Sequence, residues 1–294
     1  MAPRRALLHL YALCAAARAQ WGLKEALQRH AEEHDAAHAQ DNKDAAPPKL
    51  RGGAVGGGAV MTDTDNDLTV QALESLVGEY RADVSKIKRT GVDMYKDRDA
   101  MAAVQNLQVA TRKYLAARYG ARDSYTLDLT LAFPESMGGG SEVLTVETAP
   151  VAWMPHAVHV FLNAAVSLKQ KSGWRCAFHR RAGHVLQAFI SGAGAPGLAF
   201  QEYDARFPHE AYTLGFAGRP GGPAFYISTV DNVANHGPGS QGSRTEADSC
   251  FAKVVGSRDV VNRMKTQPGG KPPNGFISDN KNFIVVENVA LRDS

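Results

Sequence analysis

The chain has 294 residues, 44% hydrophobic and 21% charged, enough for one large domain or two small ones. Its net charge of +3 and pI near 8.7 are small and dispersed, which argues against nucleic acid or an anionic membrane surface as a partner. No apolar run reaches the roughly 18 residues that a membrane-spanning helix needs.

The first 19 residues have the pattern of a secretory signal. Arg4-Arg5 is a basic start, Ala6 to Ala17 a short apolar core, and Ala17-Arg18-Ala19 a small-x-small cleavage site before Gln20. The acidic residues between Glu25 and Asp44 argue against a mitochondrial transit peptide. The expected address is therefore lumenal or secreted. Cleavage removes Cys14 and leaves Cys176 and Cys250, which either join in an oxidising lumen or stay reduced as small buried hydrophobes. No Asn-x-Ser/Thr acceptor is present, so N-glycosylation is not expected.

Residues 20–62 form an Ala/His/Gly-rich linker, with Pro47-Pro48 and the runs Gly52-Gly53 and Gly56-Gly57-Gly58 as flexible punctuation. His30, His34 and His38 repeat every four residues and would share one face of a helix. Metal capture there is conceivable, but a solvated polar face accounts for the spacing, and no metal is assigned.

Residues 63–120 predict a helical hairpin or one long bent helix. Leu73, Leu76, Val77, Tyr80, Val84 and Ile87 define one apolar stripe, which resumes at Met101, Val104, Gln108, Thr111 and Leu115. Gly91 and the Asp97–Asp99 cluster mark the break, and Gly120 is placed to end the second helix. The stripe either packs on the downstream domain or pairs with a second chain, so self-association through residues 68–119 is an open expectation.

Residues 121–294 predict a mainly β domain. Tyr125 to Phe133 alternates strictly and ends at Pro134; Glu142 to Thr148 returns after three glycines. Met154-Pro155 opens a helix with Val158, Phe161, Leu162 and Ala165 on one side. Further strands are expected near Thr213–Ala217, Ala224–Val230, Cys250–Val255 and Phe283–Glu287, with a second helix at Asp259–Lys265. Eight short strands and two helices suggest a closed, capped barrel.

The most informative stretch is Cys176 to Gln187, two short strands around a turn. With Ala182-Gly183 as that turn, Phe178 and Arg180 share one face, Arg180 lies opposite Val185, and Gln187 is its diagonal neighbour. An arginine steadied by a glutamine beside apolar side chains suits the gripping of a peptide carbonyl; an ordinary surface hairpin is the bland alternative.

This segment resembles the Phe-His-Arg…Gln signature of cyclophilins, the prolyl isomerases. Met154-Pro155…Phe161, Leu214-Gly215-Phe216-Ala217, Ala224-Phe225-Tyr226-Ile227 and Cys250-Phe251-Ala252-Lys253-Val254 resemble further landmarks of that family in the same order. The resemblance implies an eight-stranded closed barrel capped by two helices and preceded by the helical segment. It also implies a groove for proline-containing peptides or client proteins. Arg180 would be the cation that favours the twisted X–Pro bond and Gln187 its holder. Tyr226 and Val185 would wall the proline pocket beside Phe178 and His184, and Ala217, Gly218 and Ala224 would line the adjoining groove. Turning the bond requires no nucleophile, metal or cofactor, and none is expected.

Departures from the family pattern weaken that expectation. His184 stands where strongly active members carry Phe, Val185 replaces Met, Tyr226 replaces Phe, Ala224 replaces Gln and Gly218 replaces Asn. The hairpin is also one residue short. No tryptophan lies between Asp231 and Cys250, and Asp248 falls near a usual His. Loss of apolar contact at His184 is worth ~1–2 kcal/mol, so a weak isomerase, or a catalytically idle peptide-binding module, is the expectation. The insertion Arg219–Pro223 reads as a rigid, glycine-punctuated turn before the aromatic strand, and Asp231–Gln241 as a polar loop near the groove, either a plain surface loop or a help in binding peptide.

Overall fold

The computed structural model describes residues 69–170, 175–192, 197–243, 246–256, 258–270 and 274–293. The signal segment 1–19, the linker 20–62 with His30, His34 and His38, and the first residues of the helical segment lie outside the described residues.

Eight antiparallel strands close into a barrel: β1 (Thr126–Ala132), β2 (Ser141–Thr148), β3 (Arg175–Arg181), β4 (Val185–Ser191), β5 (Thr213–Gly218), β6 (Gly221–Ser228), β7 (Cys250–Val254) and β8 (Ile284–Leu291). The order around the barrel is β1-β2-β7-β5-β6-β4-β3-β8, and β8 returns to β1, so no edge is left unpaired. Period-two alternation follows from strand geometry. Leu127, Leu129 and Leu131 of β1 point inward and are buried, while Thr126, Asp128 and Thr130 between them are half-exposed. The interior is aromatic as well as aliphatic: Phe216 stacks on Phe251 at 4.2 Å, and Phe225 packs edge-on to Phe178 at 5.8 Å.

Two helices complete that core. In α3 (Pro155–Gln170) the proline sits at the first position, where a missing N–H does no harm, and Phe161 reaches Phe251 at 4.6 Å and Phe225 at 5.9 Å. The short α5 (Arg258–Met264) buries Val260, Val261 and Met264. Between β6 and β7 lies a single helical turn, α4 (Val233–His236).

Ahead of the barrel run α1 (Val70–Lys88), capped by the Thr69 hydroxyl, and α2 (Arg98–Tyr119), capped by Asp97 and ended by Gly120 at φ 84°. Their apolar stripes are buried in the same core as the barrel rather than left for a second chain: Leu73, Val77, Val84, Leu107, Tyr114 and Leu115 are all inside. Met101 departs from expectation. It is 51% exposed because the inward stripe of α2 starts one residue earlier, at Ala100, and continues through Leu107 and Tyr114.

Polar bonds tie the hairpin to the barrel domain. The Tyr125 hydroxyl donates to the carbonyls of Leu115 (3.1 Å) and Gly120 (2.9 Å), and Arg81 Nη2 donates to Gly197 O at 2.6 Å. Lys88 pairs with Glu246. Glu202, buried at 2% exposure, accepts from Gln108 Nε2 of α2 at 2.8 Å and from the Ala157 N–H in the first turn of α3 at 2.7 Å. Burial pushes its carboxyl up to about 7, against the pull of these donors. Cys176 and Cys250 are free, buried thiols.

Candidate functional site

One rung of the outer barrel face gathers the central residues. Arg180 of β3 is paired with Gln187 of β4, Gln187 with Tyr226 of β6, and Tyr226 with Gly215 of β5. This register differs from the simple hairpin pattern. A bulge between Phe178 and Arg180 takes up His179, so Arg180 lies directly opposite Gln187 rather than Val185. The same extra residue separates the faces of Phe178 and Arg180. Phe178 points into the barrel, fully buried against Phe225, and is a core residue away from the outer rung. Arg181 pairs with Leu186, leaving Ala182, Gly183 and His184 as the connection, closed by Ala182 N–H to Val185 O at 3.1 Å.

Arg180 is held from two sides. Its Nη1 donates to Gln187 Oε1 at 2.7 Å and its Nε to Asn274 O at 2.6 Å, while the guanidinium lies 5.2 Å from the Phe276 ring centre. Nη2 has no hydrogen-bond partner among the described residues. Phe276 is 44% exposed, so the arginine stands at an open, partly apolar rim. Partial burial lowers the Arg180 pKa from its ordinary value.

Tyr226 occupies the next position along the rung and is only 2% exposed. Its ring lies over Gly215, where a Cβ would run into the phenol Oη and Cζ, so only glycine fits there. From the solvent side the His236 ring covers Tyr226, with centroids 4.4 Å apart and planes at 29°. His184 then stacks on His236 at 5.5 Å. The three rings form a pile on the face where a pocket wall is expected.

Asp248 anchors the pile from below. Its carboxylate accepts from His236 Nδ1 (2.7 Å), Arg219 Nε (2.8 Å), Gln241 Nε2 (3.1 Å) and the Tyr226 hydroxyl (3.3 Å). Burial works to raise the pKa of Asp248, but the bonds from His236 and Arg219 outweigh it and hold the group below the usual carboxylate range. His209 Nε2 donates to Asp248 O at 2.9 Å, which fixes its tautomer; burial drops its pKa to about 4. Burial lowers the pKa of His184 as well, with the charges of His236 and Arg180 adding to the effect.

The other predicted residues fall as follows. Val185, on the outer face opposite Ser228, is 1% exposed, and Ala224, two residues before Tyr226, is 4% exposed. Ala217 and Gly218 sit at the end of β5. Gly218, at φ 93°, has its carbonyl held by buried Gln201, whose side chain also bonds Ala247 O and the Gly221 N–H. Sequence reasoning missed Asn274, Phe276, His209 and His236. Arg219, in the segment read as a rigid turn, stands behind Asp248, and the Asp231–Gln241 loop, read chiefly as plain surface, supplies the ring over Tyr226. The one available signal was the Asp231–His236 run, whose mixed polar and apolar residues form a helical turn with a buried Asn232.

Fold and site together define a closed eight-stranded antiparallel barrel with an arginine–glutamine pair on its outer face. No protein-family model and no curated protein matches the sequence. Among solved structures the chain is similar to a cyclophilin-type peptidyl-prolyl cis-trans isomerase of Cryptosporidium parvum. Sequence identity is 14% and the TM-score 0.42, over 58% of this chain and 99% of that one.

Proposed function

We propose that the outer face around Arg180 binds X–Pro segments of proteins and turns their peptide bonds weakly, as a peptidyl-prolyl cis-trans isomerase. The observation that carries this reading is the guanidinium itself. It is steadied by the Gln187 amide and backed by a backbone carbonyl and an aromatic ring, and its Nη2 has no hydrogen-bond partner among the described residues. Rotation about X–Pro crosses a barrier of about 18–20 kcal/mol because amide resonance is lost. At the top of that barrier the nitrogen has regained its lone pair. A fixed cationic donor stabilises that state more than either planar one, and no bond is made or broken elsewhere. Lysine lacks the planar fork that Gln187 and Asn274 hold, so it is a poor replacement.

A second reading, binding without turnover, draws support from the burial of Tyr226 beneath His236. A protease-coupled assay on an X–Pro peptide separates the two. Under the first, wild type exceeds Arg180→Ala at least tenfold in kcat/KM; equal, slow rates with retained peptide binding favour the second. The clients are placed in the secretory pathway on the N-terminal signal pattern alone, and a mature chain that begins at Gln20 would support that address.

A further inference from the structure

The rings piled on Tyr226 are the least expected feature of the rung. His236 belongs to the chain's own β6–β7 connection, and its ring stacks on the phenol with centroids 4.4 Å apart, in the place a bound ring would take. It is not held there by apolar packing alone. Asp248 grips Nδ1, and Asp248 is itself fixed by Arg219, which also bonds the Ser240 and Glu246 carbonyls. The opposite ring nitrogen, Nε2, is buried with no hydrogen-bond partner among the described residues. A buried polar atom without a partner is unfavourable, and swinging the ring into water relieves it. His236 is therefore held by one strong bond and disfavoured at its other end, a balance suited to a movable group.

We infer that His236 is an internal occupant of the ring-binding face, which an incoming proline must displace, with Asp248 as its latch. This rests on the isomerase reading, since it takes Tyr226 as the surface on which the proline ring sits. His236 thereby decides which peptides enter. A proline ring replaces the imidazole on Tyr226 with apolar contact, whereas an X–Ala segment offers too little to evict it. The connection bearing His236 is also pinned by Asn232, whose Nδ2 bonds His184 O at 2.9 Å. Eviction therefore requires rotation of one side chain rather than opening of the loop.

Two measurements test this on the full chain, with an X–Pro peptide and its X–Ala counterpart as probes. In wild type, proton NMR of His236 should show ring hydrogens shifted upfield by the phenol and moving toward free-histidine values as the X–Pro peptide is added. In His236→Ala, affinity should rise for both peptides, at least tenfold for X–Pro, because neither has a ring to displace; His236→Phe, which keeps a ring in place, should show no gain. Arg180→Ala, read in parallel, separates the two levels. If His236→Ala binds no better than wild type while Arg180→Ala still weakens binding, the occupant idea is wrong and the site stands. If none of the proteins binds X–Pro in preference to X–Ala, both fall.

Discussion

Gly215 makes the plainest demand of any residue in the site. Its missing side chain is the space in which the Tyr226 phenol lies. Gly215→Ala should destabilise the protein by ~1–3 kcal/mol through overpacking, seen as a lower urea midpoint, and should displace the phenol from Asp248. Gln187→Ala should instead leave the barrel intact and free the guanidinium to wander. The expected outcome is roughly a tenfold fall in kcat/KM, about 1.4 kcal/mol. Arg180→Lys should not recover activity. Arg180 and Gln187 were legible as a pair from their spacing across a turn. Phe178 was misplaced because a bulge leaves no mark in an alternating pattern, and one extra residue turns a pocket wall into a core side chain.

At the scale of elements, the β6–β7 connection is a structured arm rather than a surface loop. Asp248 is buried with Arg219, at 2% and 11% side-chain exposure, and together they fix the connection from His236 to Glu246. Breaking such a pair from one side leaves the other charge uncompensated. Asp248→Asn should therefore cost about 3–5 kcal/mol, and hydrogen exchange should quicken first between residues 232 and 243. The strands and helices were readable because alternation and 3.6-residue periodicity report burial of one face. This arm was not, because its order comes from one carboxylate serving several distant donors, which has no period. Helix α2 shows the intermediate case: its existence, its glycine stop and the buried Thr111 and Leu115 were plain, but the start of its inward stripe was read one residue late, at Met101 instead of Ala100.

For the molecule as a whole, buried titrating groups set the response to acid. His156 is held well below its ordinary 6.5, His159 is lowered to about 3 and His209 to about 4, each chiefly by burial. These histidines take up protons on unfolding at a pH where the native protein refuses them, so stability falls as pH drops below 6.5. Glu202 acts in the opposite sense. Its native value of about 7 against an ordinary 4.5 means that the folded state holds its proton between those limits, so this contribution declines as pH rises. Three histidines outweigh one carboxyl, so stability should climb from pH 4.5 and flatten near 7. Each uncompensated proton contributes about 1.4 kcal/mol per pH unit. Replacing Glu202 with Gln should steepen the climb by about one proton's worth, measured by urea unfolding across that range; an unchanged slope would refute the assignment. The fold class was legible because it rests on strand number and patterning. The helical hairpin's attachment was left open by its stripe alone, which says that a face must be covered and not by what.

The two sealed thiols give the molecule a built-in clock. Burial raises the pKa of Cys176 and takes that of Cys250 to about 12, so neither reacts as a thiolate in the native state. Alkylation must wait for the barrel to part. Because β3 and β7 are separated by β5, β6 and β4 in the barrel order, site-resolved labelling distinguishes two ways of coming undone. Equal rates at both sulfurs mean that the cylinder dissolves in one event, whereas a faster rate at one marks the stave that loosens first.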